Sequence, residues 1–151
     1  MRYYEYRHRV CLDETNVVGN VYYTHYLRWQ GRCREMFLCE HVPEVVAQLG
    51  KSIVLVTTRV SCNYYRELAA FDEIVLRMRG SAMTPSRLTM FFQYFRVGPG
   101  AQEELVAEAE QEVACMLREA GRLEPSPLPL ILRETVESFM EMEQEAARAG
   151  V

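Results

Sequence analysis

The sequence predicts a single α+β domain spanning residues 1–151, in which an antiparallel sheet wraps around one long central helix. Three observations carry that expectation. One early stretch repeats its aromatic residues at helical spacing, several later stretches alternate at strand spacing, and the two kinds are segregated along the chain. An antiparallel sheet must hide one face, and a single apolar helix is the element at hand to hide it.

The first element, "RYYEYRHRVCL" (2–12), alternates and is aromatic and β-branched, which favours a strand. Its even-numbered residues, Tyr4 to Leu12, are the set expected to face the core. A turn follows from Asp13 to Gly19. From Tyr22 the period changes: Tyr22, Tyr26, Trp29, Cys33 and Phe37 lie on one face of a helix running to about Cys39. Pro43 to Leu49 reads as a short helix stopped by Gly50.

Strand signals come next. Residues 52–66, 72–83 and 86–97 are β-branched or aromatic, and "GPG" (98–100) marks a turn. Segment 104–117, "ELVAEAEQEVACML", has helical composition but alternates small apolar residues with glutamates. Its place after two hairpin-connected strands decides for a strand. A proline-rich stretch (123–129) then leads to a final helix over roughly Leu130 to Ala147.

Composition narrows the function. The net charge is −4, and the chain has no basic run of five, so no nucleic acid partner is expected. No apolar run reaches the length of a membrane span, and "MRYYEYRHRV" lacks a signal peptide's apolar stretch. Five scattered cysteines, never in a CxxC pair, point to reduced thiols and a cytoplasmic protein. The three histidines share no metal-ligand spacing with one another or with a thiol. Neither a metal nor another cofactor is expected.

The stretches "NVVGNVYYTHYLRWQGRCREMF" and "SCNYYRELAAFDEIVLRMR" resemble the hotdog-fold acyl thioesterases of the 4-hydroxybenzoyl-CoA thioesterase type. The resemblance covers about residues 3 to 120. "YYEYRH", the "ETN" and "VGNVYY" around the turn, and "YLRWQGRCREMF" are most similar to the thioesterases of enediyne polyketide biosynthesis. That resemblance implies a homo-oligomer, a dimer or a dimer of dimers, with acyl sites at subunit interfaces. The implied substrate is a long polyene thioester, presented by the acyl carrier protein domain of a polyketide synthase. The implied product is a β-keto acid, prone to decarboxylate.

The family's usual catalytic acid falls on Asn16, three residues before Gly19. An amide is neither a strong base nor a nucleophile, but it can hold a water or a carbonyl by hydrogen bonds. Asn also serves widely in Asx-turns and helix caps. Arg34 is the position on which the enediyne subgroup relies, and its guanidinium can stabilise an oxyanion. The bland alternative is a solvated helix arginine paired with Glu35 or Glu40. Tyr26 matches a tyrosine of the subgroup's site, although packing against Trp29 would also account for it.

Backbone N–H groups of Gly19, Asn20 and Val21 are candidate oxyanion donors, and Gly19 would allow close approach. Tyr22 and Trp29 belong to an aromatic supply suited to a conjugated chain. Glu35 occupies the stretch where some hotdog enzymes carry a catalytic Glu, but Arg32 and Arg34 would weaken it as a base. Asp13 and Glu14 remain candidate bases, although two adjacent acids at a strand end are more often solvated turn residues. Two alternatives stand beside polyene hydrolysis: an acyl-CoA thioesterase of primary metabolism using a Glu base, and a non-catalytic acyl-binding protein.

Overall fold

A computed structural model of the chain describes residues 2–140. Strand β1 (Tyr4–Arg9) is followed by a 3-10 turn (Leu12–Glu14), the long helix α1 (Thr24–His41) and the short helix α2 (Pro43–Gln48). Four strands come next: β2 (Ile53–Tyr64), β3 (Glu73–Met83), β4 (Arg87–Val97) and β5 (Glu103–Glu119). A short β6 (Arg122–Pro125) and helix α3 (Leu130–Ser138) complete the described chain. The strand order is β1-β3-β4-β5-β2, antiparallel throughout, with β6 paired to the end of β5.

Three register breaks bend this sheet. They fall at Thr57/Arg59 in β2, at Gly80/Ala82 in β3, and between Tyr94 and Phe95 where β4 meets β5. Each inserts an unpaired residue, which increases local twist and lets a sheet curl around a helix. At the last break the carbonyl of Val106 accepts the N–H groups of Tyr65 and Arg66, so that carbonyl is paired despite the irregularity.

The helix inside the curl buries Tyr26, Trp29, Cys33, Phe37 and Leu38. They meet Ile74, Leu76, Phe92, Tyr94 and Val106 of the sheet in one cluster. Trp29 alone, wholly buried, contributes about 1.5–3 kcal/mol by removing its ring from water. Segment 104–117 is indeed strand: Ala107, Ala109, Val113 and Cys115 are buried, and Glu108, Glu110 and Glu112 alternate with them. The even-numbered rule holds for Tyr4 and Val10, which are buried, and for Tyr6 and His8, which are partly so.

The structure departs from expectation in three places. Leu12 is 66% exposed, because the 3-10 turn lifts it off the strand's face. Tyr22 precedes the helix, which starts at Thr24, and it is exposed beside Tyr23 at 4.7 Å between ring centroids. Strand β6 was not expected. Ala120 and Gly121, both at positive φ, turn β5 back on itself, a conformation typical of two-residue hairpins. Pro125 ends that strand, a position proline tolerates. Residues 141–147 of the expected final helix lie outside the described residues.

Helix α3 crosses β3 at Gly80. A Cβ there would come within 2.7 Å of Val136 Cγ1 and 2.8 Å of the Met140 side chain, so only glycine permits the approach. Gly80→Ala is expected to cost about 1–3 kcal/mol, seen as a fall in Tm by several degrees. In α1, Gly31 has open space around its Cα, and Gly31→Ala should raise Tm instead. Equal shifts for the two variants in thermal unfolding would show that α3 does not pack against β3 in this way.

Candidate active site

Arg34 lies in the middle of α1, about 15 Å along the axis from the start of the helix. It is half-buried and turned toward the sheet. Its Nη1 donates to Gln111 Oε1 of β5 at 2.7 Å and reaches Thr57 Oγ1 of β2 at 3.5 Å. Neither Glu35 nor Glu40 forms an ion pair with it among the described residues, so the picture of a solvated, paired helix arginine is corrected. Burial pulls its pKa below the usual arginine value, with the nearby charge of Glu35 opposing the shift. A guanidinium remains protonated under such a shift. The cation is therefore held by a neutral amide and a hydroxyl, with no carboxylate bonded to it among the described residues.

Beside Arg34 opens a slot between α1, the inner face of the sheet and α3. Its free volume is about 20 Å³, room for little more than one water molecule. Phe37 and Leu38 of α1, Met78 and Met90 of the sheet, and Leu132 and Phe139 at the C-terminal side form much of its wall. The lining is apolar apart from Arg34 and Arg79. None of the aromatics between Tyr22 and Trp29 contributes to it. Tyr22 is exposed before the helix, and Trp29 is sealed in the core.

Tyr26 is buried, with Tyr64, Trp29 and Tyr94 rings at 4.8, 5.2 and 5.6 Å. Burial, aided by the neighbouring Cys62 and Glu67, pushes its phenol up to about 12. Its carbonyl accepts the Tyr94 hydroxyl at 2.7 Å. Packing is thus one role of Tyr26. Its own hydroxyl makes no hydrogen bond to a described residue.

The turn before the helix does not have the backbone arrangement expected of it. The N–H of Gly19 donates to the carbonyl of Asn16, and that of Val21 to the carbonyl of Leu68. Both are spent within the chain, and neither residue belongs to the helix. Asn20 donates through Nδ2 to Glu67 at 3.2 Å. Gly19 itself sits at φ +90 with open space around it, so its role is the turn. Asn16 is exposed and accepts the N–H of Val18 on Oδ1 at 3.0 Å, an Asx-turn. Its Nδ2 makes no hydrogen bond to a described residue, and no contact joins Asn16 to Arg34 within the chain.

Glu14 was expected to be solvated, yet it is 7% exposed. One carboxylate oxygen accepts the N–H of Cys11 at 2.8 Å, the other the indole N–H of Trp29 at 2.8 Å. His8 Nε2 lies 2.8 and 3.1 Å from the two oxygens, and facing a carboxylate it must carry the proton. Burial pushes this carboxyl's pKa up, but the Cys11, His8 and Trp29 donors together outweigh burial and hold it below the usual range. Such a group is a clamp and not a base. Cys11, Asp13 and Glu14 bring potential ligand atoms within 4.8 Å of one another. The oxygens of Glu14 are already committed, so the trio makes a poor metal site.

Two polar residues escape sequence reasoning. Gln111 sits at an inward position of an alternating strand, where a glutamine among glutamates gives no signal. Gln30 is wholly buried in α1, and neither end of its carboxamide has a partner among the described residues. The exposed Glu35 points away from the core on the same helix.

A half-buried guanidinium beside apolar side chains can stabilise an oxyanion. Several solved structures superimpose on the chain. The dynemicin thioesterase superimposes with a TM-score of 0.87 at 45% identity, covering 91% of this chain and 97% of that one. The 4-hydroxybenzoyl-CoA thioesterase of Pseudomonas sp. strain CBS-3 gives 0.77 at 16% identity, with 89% and 99% covered. A 1,4-dihydroxy-2-naphthoyl-CoA thioesterase from Synechocystis gives 0.76 at 17% identity, with 89% and 96% covered. At those last two identities the likeness speaks for the fold. No curated protein sequence matches the chain. No helix among the described residues is long and apolar enough to cross a membrane. The thioesterase-like superfamily model matches residues 10–144, and the chain belongs to that family as a thioester hydrolase of the hotdog fold.

Proposed function

We propose that this enzyme hydrolyses a long polyene β-ketoacyl thioester carried by the acyl carrier protein domain of an enediyne polyketide synthase. The observation that carries the reading is the half-buried Arg34 cation beside an apolar lining that includes Phe37, Met78, Met90 and Phe139. Methionine and aromatic side chains suit a flat conjugated chain. Support also comes from the 45% identity to the dynemicin thioesterase, a protein whose structures are described in terms of polyene binding.

The chemistry needs no strong base. A β-keto group withdraws electrons from the thioester carbon, so water adds to it more readily. Arg34 holds the oxyanion of the adduct, and collapse expels the pantetheine thiolate. The released β-keto acid can then lose carbon dioxide. A Glu-dependent acyl-CoA thioesterase has less support, because Glu14 is locked in its clamp.

The site is completed by a second copy. Strand β2 is an outer strand whose Val56 and Val60 are exposed, as befits a sheet edge awaiting a partner. The exposed Nδ2 of Asn16 then serves the Arg34 site of the neighbouring chain. The homo-oligomer works in the cytoplasm.

The test is release of free acid from a β-ketoacyl polyene loaded on a carrier protein. Asn16→Ala should lower kcat about 100-fold, the scale of losing one preorganised donor. Asp13→Asn should leave kcat within about two-fold, because exposed Asp13 makes no contact with the slot. Binding of the loaded carrier without product release would sink the hydrolytic reading. Equal damage from both substitutions would remove Asn16 from the site.

A further inference from the structure

The slot beside Arg34 has about 20 Å³ free, whereas pockets that enclose a ligand of drug size hold about 300–1,000 Å³. A long acyl chain enters such a slot only when one of its walls gives way. The walls are not equally fixed. Phe37 and Leu38 belong to the 18-residue helix α1, which is anchored in the core. Met78 and Met90 stand on β3 and β4, each hydrogen-bonded to a strand on both sides. The remaining wall, Leu132, Val136 and Phe139, is carried by α3 and the residue after it.

Polar ties to α3 gather at one end. The Leu128 N–H donates to the carbonyl of Pro85 at 2.8 Å, and Arg133 Nη2 donates to the carbonyls of Thr84 and Pro85 at 2.7 and 3.2 Å. These bonds fasten the start of the helix to the turn between β3 and β4. At the far end, Arg2 makes the only polar tie among the described residues. Its Nη1 donates to Ser138 Oγ at 3.1 Å, and its guanidinium lies 4.3 Å over the Phe139 ring, both on the exposed surface. Otherwise that end is held by packing. Phe139 meets the Phe37 ring at 5.2 Å, and Val136 lies against Gly80, where no Cβ intervenes. Apolar contacts are non-directional, so a ligand chain can replace them without stranding a polar group.

We infer that α3 is the gate of the acyl site and Phe139 its plug. The helix swings about its first turn, withdraws Phe139 and Val136, and the acyl chain lies where those side chains were. The inference rests on the acyl reading of the Arg34 site. Such a gate selects for length, because opening it gives up buried contacts that only a long apolar chain restores. Each buried CH₂ of the chain strengthens binding about four-fold, and an acetoacetyl group has almost none to offer.

The test measures KM and kcat on a carrier protein loaded with β-ketohexadecanoyl or with acetoacetyl, in wild type, Phe139→Ala and Arg2→Ala. Losing the ring weakens the closed state, so Phe139→Ala should lower KM for the long chain about ten-fold. Its KM for acetoacetyl should not change. Arg2→Ala removes the exposed tie and should lower the long-chain KM about three-fold. A raised long-chain KM in Phe139→Ala would make the ring a fixed wall that binds the chain, and would overturn the gate. Unchanged values in both variants would overturn it as well. If Phe139→Ala does not fold, Arg2→Ala decides alone, and an unchanged KM there rejects the inference. A wild-type protein that releases no acid from either carrier fails the acyl reading itself, unlike an active enzyme indifferent to these substitutions.

Discussion

Arg34→Ala is expected to lower kcat by about 100- to 1000-fold, with little change in KM. An oxyanion exists only after water has added, so the guanidinium is most needed in the transition state and lowers kcat when lost. The magnitude follows from removing one preorganised donor in a partly desolvated site, about 2.7–4 kcal/mol. Removing Arg34 also strands the Gln111 amide that receives its Nη1 at 2.7 Å, a cost to stability of about 1–3 kcal/mol. Gln111→Met separates the two effects. It retains the cation and loses only its tether, so its kcat should fall less than that of Arg34→Ala. Arg34→Lys keeps the charge without the planar fork and should rescue only part of the rate. Single-turnover release of acid from the loaded carrier measures all three. An Arg34→Ala variant at wild-type kcat would remove the cation from the mechanism.

Glu14→Gln is expected to destabilise the fold by about 3 kcal/mol, within the range for breaking a buried charge-assisted network. The carboxylate joins β1 through His8, the turn through Cys11 and α1 through Trp29. A glutamine of the same shape has one acceptor oxygen, and its NH₂ would oppose one of the three donors. The pH dependence has a definite sign. The folded-state pKa of Glu14 is depressed below the usual glutamate value. Its stabilisation is therefore complete above the unfolded value of about 4.3 and is lost as pH falls through the lower folded value. Wild type should lose stability in that acid window more steeply than Glu14→Gln, and urea unfolding across it measures the difference. Parallel curves for the two proteins would show that the carboxylate does not anchor the turn.

The fold is legible in the sequence because its periods are strong. Tyr26, Trp29, Cys33 and Phe37 fall on one helical stripe, and all four are buried. Segment 104–117 reveals itself as strand only by its alternation, against its helix-favouring alanines and glutamates. Strand β6 is illegible because its turn uses Ala120 where asparagine or glycine would announce a hairpin, and prolines crowd residues 125–129. Within the site, Arg34 is found by resemblance, and its surroundings come only from the fold. Gln111 lies 77 residues away in sequence and meets it through strand pairing. Glu14 misleads for a similar reason. An acid next to an acid in a turn looks solvated, and nothing local reveals that His8 and Trp29 will close over it.

That buried carboxylate has a bearing on how such sites diversify. The turn's position is set by Glu14 and its three donors, two residues away from Asn16. What residue 16 gives to the turn itself is one acceptor oxygen for the Val18 N–H, and an aspartate would supply the same oxygen. An acid and an amide can therefore exchange at this position without moving the backbone. On the proposed reading, residue 16 is a place where an amide-for-acid exchange would alter the chemistry and leave the architecture alone.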